Sequence, residues 1–133
     1  MILLDTHILL WWLDGSQELS LPVNREIANH EKTNSIHLSA VSVWEVSLLV
    51  RKKKIDLQRN LDEWTQRLEN LSFVKIIPVD HWIFLRSTEL PSFPNKDPAD
   101  RIIVATAQKL GAMLISKDDK ILNYPHVKSF WRE

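Results

Sequence analysis

Four acidic residues stand in segments that are otherwise apolar, and that placement is the chemical signature of this chain. Asp5 is the only carboxylate between Met1 and Leu13, and Glu45 is the only charged residue between Leu38 and Val50. Asp100 and Asp118 flank a third apolar stretch, Ile102 to Ile115. Burying an unpaired carboxylate costs several kcal/mol or drives it to its neutral form, so such charges need a partner. A divalent cation is such a partner. The chain has no cysteine and its histidines show no metal-binding spacing. Hard oxygen ligands alone point to Mg2+ or Mn2+ rather than zinc. The chemistry implied is phosphodiester hydrolysis, in which the cation activates a water for attack on phosphorus and offsets charge on the phosphate oxygens.

Each acid also has a plainer explanation. Asp97 and Asp100 have the spacing of an N-cap with a capping-box-like acid three residues on, Asp118 suits the cap of a following turn, and Asp5 suits the cap of the first helix. Glu45 resists that account, because it falls inside its helix among Val41, Trp44, Leu48 and Leu49. The set is more specific than any member, since four independent caps need not share one edge of a sheet.

The elements that must position these acids follow from pattern and punctuation. Ile2 to Leu4 is an apolar run ending at Asp5-Thr6, followed by a helix from His7 to Leu13 that stops at Asp14-Gly15. Ser20 and Pro22 open an amphipathic helix to about Lys32. Ser35 to Leu38 reads as a strand, and Ser39 or Ser42 caps a helix that ends at the basic run Arg51-Lys52-Lys53-Lys54. A further helix covers Leu61 to Leu71, Phe73 to Ile77 is a strand closed by Pro78, and Asp80 to about Leu90 is helical. Asp97-Pro98-Ala99-Asp100 starts the clearest helix, which runs to Leu110 with Gly111 as its stop. Ala112 to Ser116 and Val127 to Phe130 complete the strands.

Strands that alternate with helices and read as continuous apolar runs imply a parallel sheet covered on both faces. The expectation is therefore an α/β fold, a three-layer α/β/α sandwich with a central parallel sheet of four to five strands, formed by one domain over residues 1–133. In such folds the site lies beyond the carboxyl ends of the strands, near the point where strand order reverses. Asp5 and Asp118 follow strands directly. The helix from Ala99 to Leu110, about 18 Å long at 1.5 Å per residue, returns along a strand of about 17 Å, which brings Asp100 level with Asp118. Glu45 lies in the second turn of the helix leaving the second strand, and its side chain leans back toward the same edge. All four acids are expected to converge there.

Bulk properties narrow the field less. The length, 133 residues, suits a single core, and 44% hydrophobic with 26% charged content is ordinary for a globular chain. Zero formal charge argues against broad charge-driven nucleic-acid binding. Residues 1–50 hold two Lys/Arg against six Asp/Glu, whereas residues 51–75 hold seven against four. The basic run suits either a solvated helix end or a grip on a nucleic-acid backbone. Absence of cysteine excludes disulfides and thiolate catalysis and leaves the compartment open, with the cytoplasm expected. The first apolar run carries Asp5 and is too short to span a bilayer, so no membrane association is expected.

Four segments together make a likeness. Leu3-Leu4-Asp5-Thr6-His7-Ile8-Leu9-Leu10-Trp11, Leu38-Ser39-Ala40-Val41-Ser42-Val43-Trp44-Glu45, Asp97-Pro98-Ala99-Asp100-Arg101 with the following Ile102 to Ala107, and Leu114-Ile115-Ser116-Lys117-Asp118 resemble, in order, the motifs of PIN-domain nucleases, in particular the VapC-type toxins of toxin–antitoxin pairs. The resemblance implies an Mg2+- or Mn2+-dependent endoribonuclease acting on RNA, a homodimer, and a VapB-like antitoxin partner whose tail occludes the site. It carries the four family acids onto Asp5, Glu45, Asp100 and Asp118 as catalytic and metal-binding groups, with Asp5 and Asp100 as leading ligands. Thr6 and Ser116 match hydroxyl positions that orient ligands or water. Asp97 and Asp119 are expected to orient or cap rather than ligate, and Arg101 to contact phosphate or pair with Asp97.

His7 reads as a partly exposed helix histidine. Among the tryptophans, Trp44 and Trp64 fall on apolar helical faces and are expected in the core, while Trp11 and Trp12 point to different sides. Two other functions fit parts of the pattern. One is a PIN-fold module that binds protein without catalysis. The other is a metal-dependent phosphohydrolase on a different substrate, disfavoured because His7 stands where an Asp-x-Asp motif after the first strand needs its second acid.

Overall fold

Ile2, Leu3 and Leu4 form β1 (Ile2–Leu4) and are all fully buried, as a strand covered on both faces requires. The computed structural model describes residues 1–133. After β1 the chain folds as α1 (Thr6–Asp14), α2 (Leu21–Lys32), β2 (Ile36–Ser39), α3 (Ala40–Arg51), α4 (Leu61–Glu69), β3 (Val74–Ile77), α5 (His81–Thr88), α6 (Pro98–Leu110), β4 (Met113–Ile115), α7 (Asp119–Leu122) and β5 (Ser129–Phe130). The five strands are all parallel, in the order β3-β2-β1-β4-β5. The order runs one way from β1 to β3 and the other way through β4 and β5, so the reversal lies between β1 and β4.

Alternation along the strands divides the core in two. Leu3 and Leu114 face a cluster with Ile83, Ile103, Val104 and Ile121, contributed by α5, α6 and α7. Ile2, Leu4, Ile36, Leu38 and Ile115 face a second cluster with Ile8 and Leu9 of α1, Val23 and Ile27 of α2, and Trp64 and Leu68 of α4. The expected α/β/α sandwich is therefore the observed one. No helix is long and apolar enough to cross a membrane.

Caps set the helix starts that matter for the site. Asp5, Ser39, Asp97 and Asp118 are the N-caps of α1, α3, α6 and α7, each accepting a hydrogen bond from a backbone N–H of the first turn. Ser39, not Ser42, caps α3. Gly15 and Gly111 end α1 and α6 with φ of 63° and 64°, the left-handed conformation that costs glycine nothing.

Two expectations about aromatic packing separate here. Trp64 is buried at 3% exposure, but Trp44 is 54% exposed on α3. Helical periodicity identifies an apolar face without telling whether the rest of the fold covers it. Trp44 instead lines a groove with Val79, Phe84, Pro98 and Ile102.

Candidate active site

Sheet register brings the first acid and two hydroxyls to one level. Leu4 is paired with both Leu38 and Ile115, so the next residues, Asp5, Ser39 and Ser116, stand side by side at the carboxyl edge. Asp5 is buried, and both of its oxygens are engaged. Thr6 N–H donates to Oδ1 at 2.8 Å and Ser116 Oγ donates to Oδ2 at 2.7 Å. Ser116 Oγ in turn accepts from Asp118 N at 3.1 Å, which ties the loop carrying Asp118 to the same point.

Glu45 reaches the edge from α3. Thr6 Oγ1 donates to Glu45 Oε1 at 2.6 Å, and Ser42 Oγ lies 2.8 Å from the same Thr6 oxygen. Thr6 has one hydroxyl proton; with Glu45 ionised that proton goes to the carboxylate, so Ser42 donates to Thr6. Ser42 and Glu45 are three residues apart on one helix face, a spacing that marks such neighbours.

Asp100, in the first turn of α6, is the acid common to two groupings. It shares one with Glu45 and Asp97, whose carboxylate oxygens lie within 4.8 Å of one another. It also lines a cavity of about 350 Å3 with Asp5, Asp118, His7, Trp11 and Lys117. Asn95 Nδ2 donates to Asp100 Oδ2 at 2.6 Å, while Asn95 Oδ1 accepts from Asp97 N at 2.9 Å. One amide thereby fixes the positions of two acids.

The electrostatics are those of crowded anions. Burial raises the pKa of Asp5, opposed by the Ser116 and Thr6 hydrogen bonds, and burial raises Glu45, opposed by Thr6. Asp100 is pushed up to about 7, chiefly by burial and then by the charges of Asp5 and Asp97. A divalent cation held between Glu45 and Asp100 would favour the charged form of both. The Glu45, Asp97 and Asp100 grouping offers only hard oxygen donors, the set that suits Mg2+ or Mn2+.

The residues named from sequence thus divide. Asp5, Thr6, Glu45, Asp97, Asp100, Ser116 and Asp118 gather at the edge. Asp97 caps α6 through Ala99 N at 2.9 Å, as expected, and also stands beside Glu45 and Asp100. Asp119 is exposed and lines a different cavity with Ser92, Asn123 and Tyr124. Arg101 makes no ion pair with Asp97. Its Nε donates to Ser87 O at 2.7 Å and one terminal nitrogen to Asn95 O at 2.9 Å, so it braces the loop before α6. Its position next to Asp100 in sequence misleads because successive helix residues point about 100° apart. The basic run lies at the other end of α3, about 18 Å from its capped start, at the opposite edge of the sheet.

Comparison with known proteins agrees with this fold. The family model for the PIN domain matches residues 2–127. The chain is 32% identical over 126 residues to Ribonuclease VapC22 of Mycobacterium tuberculosis (strain ATCC 25618 / H37Rv), covering 94% of this chain and 92% of that protein. It belongs to the PIN-domain family. Among solved structures, FitAcB from Neisseria gonorrhoeae is similar with a TM-score of 0.69 at 24% identity, covering 98% of this chain and 96% of that one. DNA-bound VapBC from Salmonella typhimurium gives a TM-score of 0.69 at 13% identity, with 97% and 96% covered. These last two likenesses are of fold.

Proposed function

We propose that this chain is an endoribonuclease that hydrolyses RNA phosphodiester bonds with Mg2+ or Mn2+, and that it acts as the toxin of a toxin–antitoxin pair. The observation that carries the reading is the gathering of Glu45, Asp97 and Asp100 within 4.8 Å at the edge where Asp5 and Asp118 also stand. A divalent cation supplies polarisation of a water and neutralisation of charge on the phosphate oxygens. Everything else is done by the chain.

Asp100 is the leading ligand, because it faces both the acidic trio and the open cavity. Glu45 and Asp5 complete the negative field, each accepting a hydroxyl hydrogen bond that favours its charged form against burial, Thr6 for the first and Ser116 for the second. Asp97 holds the start of α6 and adds a third carboxylate beside Asp100. Asp118, half-buried on the cavity wall, would orient an entering water and take its proton.

Similarity to Ribonuclease VapC22 supports RNA as substrate. The DNA-bound VapBC among the structural neighbours supports a VapB-like antitoxin, and the same reading expects a homodimer acting in the cytoplasm. The exposed apolar groove at Trp44 and Phe84 supports a protein partner. Incubating the purified chain with total RNA, with and without Mn2+, tests the proposal. Cleavage that needs the metal is the expected result. A folded, Mn2+-binding chain that leaves RNA intact would favour the non-catalytic module instead.

A further inference from the structure

Lys117 lies between Ser116 and Asp118 and is the one Lys or Arg lining the acidic cavity, out of 17 in the chain. An ammonium beside three carboxylates ordinarily pairs with one of them. Lys117 does not, for the ion pairs of this protein are His30 with Glu26 and Lys109 with Asp80. Its Nζ stands instead 5.1 Å from the ring centre of Trp131 and 5.9 Å from that of Trp11. The two indoles meet edge to face with centroids 6.4 Å apart, and His7 lies 6.1 Å from Trp11 on the cavity side. Trp131 comes from beyond β5 and Trp11 from α1, so the fold builds this platform from both ends of the chain.

Such a seat has a consequence. Cation–π contacts at exposed positions hold a lysine weakly, at about 0.5–1 kcal/mol, and leave its three donors free. A carboxylate partner would have to be displaced before the ammonium met another anion; a ring face would not. Held this way, Lys117 also stays out of the acidic trio, where it would compete with a cation.

We propose that Lys117, seated on Trp11 and Trp131, holds a phosphate of the bound RNA strand in the acidic cavity and so positions the strand against the acids. The inference rests on the ribonuclease reading and adds to it the residue that grips the substrate backbone there. RNA, rather than an acidic protein segment, is the occupant the wall suits, because the cation is accompanied by an indole on which a base can stack.

The test is binding of a short, labelled, single-stranded oligoribonucleotide, with Ca2+ as the cation, across a range of salt concentrations. Loss of one phosphate contact lowers the log–log salt slope by about 0.7 for a single strand, which corresponds to about fivefold weaker binding at 0.1 M salt. Lys117→Ala should show both, Lys117→Arg should recover them, and KM for RNA cleavage should rise with Lys117→Ala. Lys54→Ala, in the basic run at the far edge, serves as the comparison and should keep the wild-type slope. Calorimetry with Mn2+ should show metal affinity undiminished in Lys117→Ala. An unchanged RNA affinity and slope in Lys117→Ala overturns the proposal, including the case where an acidic peptide is what the cavity prefers. An equal loss in Lys54→Ala, or weaker Mn2+ binding in Lys117→Ala, overturns it too. Binding is read without turnover, so failure of wild-type protein to cleave RNA would count against the ribonuclease reading alone.

Discussion

The Thr6 hydroxyl donates to Glu45 across 39 residues of sequence at 2.6 Å, joining the start of α1 to the second turn of α3. It is the contact that opposes the rise in the Glu45 pKa caused by burial on an apolar helix. A hydrogen bond to a charged group contributes about 1.5–3 kcal/mol, and its loss also leaves Ser42 without its acceptor. Thr6→Val should therefore destabilise the fold by about 2 kcal/mol and weaken metal binding by about tenfold or more. Thr6→Ser should recover most of both. Denaturant melts and Mn2+ calorimetry on the two variants check this, and wild-type behaviour of Thr6→Val would remove Thr6 from the account.

Ser116 does for Asp5 what Thr6 does for Glu45. Its hydroxyl opposes the effect of burial on Asp5, so Ser116→Ala should raise the Asp5 pKa further. The metal-dependent rate should then rise with pH along a curve displaced to higher pH than wild type. Ser116→Thr should leave the curve in place. A pH–rate profile of the three proteins reads the displacement directly.

Metal-free stability should fall as pH rises. Asp100 has its pKa raised to about 7 in the folded chain, from an ordinary value of 3.8. Between those values the folded state holds a proton that the unfolded state has released, so its stabilising effect is complete below the lower value and lost through the upper one. Asp5 and Glu45, also raised, act in the same direction. Metal affinity should show the opposite trend, increasing through about pH 7 as the proton is displaced. Thermal melts in chelator and in Mn2+ at several pH values should diverge as pH rises. Parallel curves would mean the acids do not share one ion.

Arg101 should matter for stability and not for substrate charge. It bonds Ser87 O and Asn95 O, and Asn95 holds Asp100. Arg101→Ala should lower the melting temperature and the metal affinity yet leave the salt slope of RNA binding unchanged. Arg101→Lys should recover little, because a lysine lacks the planar fork that reaches two carbonyls. A flattened salt slope in Arg101→Ala would identify a phosphate contact instead.

What could be read from sequence depended on whether a residue's surroundings are local. β1 and the cap at Asp5 were legible from three apolar residues and a capping type, and Glu45 from being a lone charge in an apolar run. Asp97 was legible as a cap or an orienting group because Asp-Pro is a common helix start; that it meets Glu45 follows from where α3 and α6 lie, which no local pattern encodes. Asn95 sits in a proline-rich loop whose path is fixed by Arg101, and Lys117 looks like any exposed lysine until Trp131 is brought to it from the far end of the chain. Trp44 shows the converse error. Its helical face was legible, but not the lack of anything packed over it.

The most direct measurement is a time course of RNA cleavage by wild-type protein in Mn2+, in chelator, and by Asp100→Asn in Mn2+. Groups that merely orient ligands are worth about 10- to 100-fold, so loss of the shared acid should cost at least about a hundredfold. Cleavage should stop in chelator and return with excess Mn2+. Full cleavage in chelator, or by folded Asp100→Asn, would contradict a metal-centred site built on that residue.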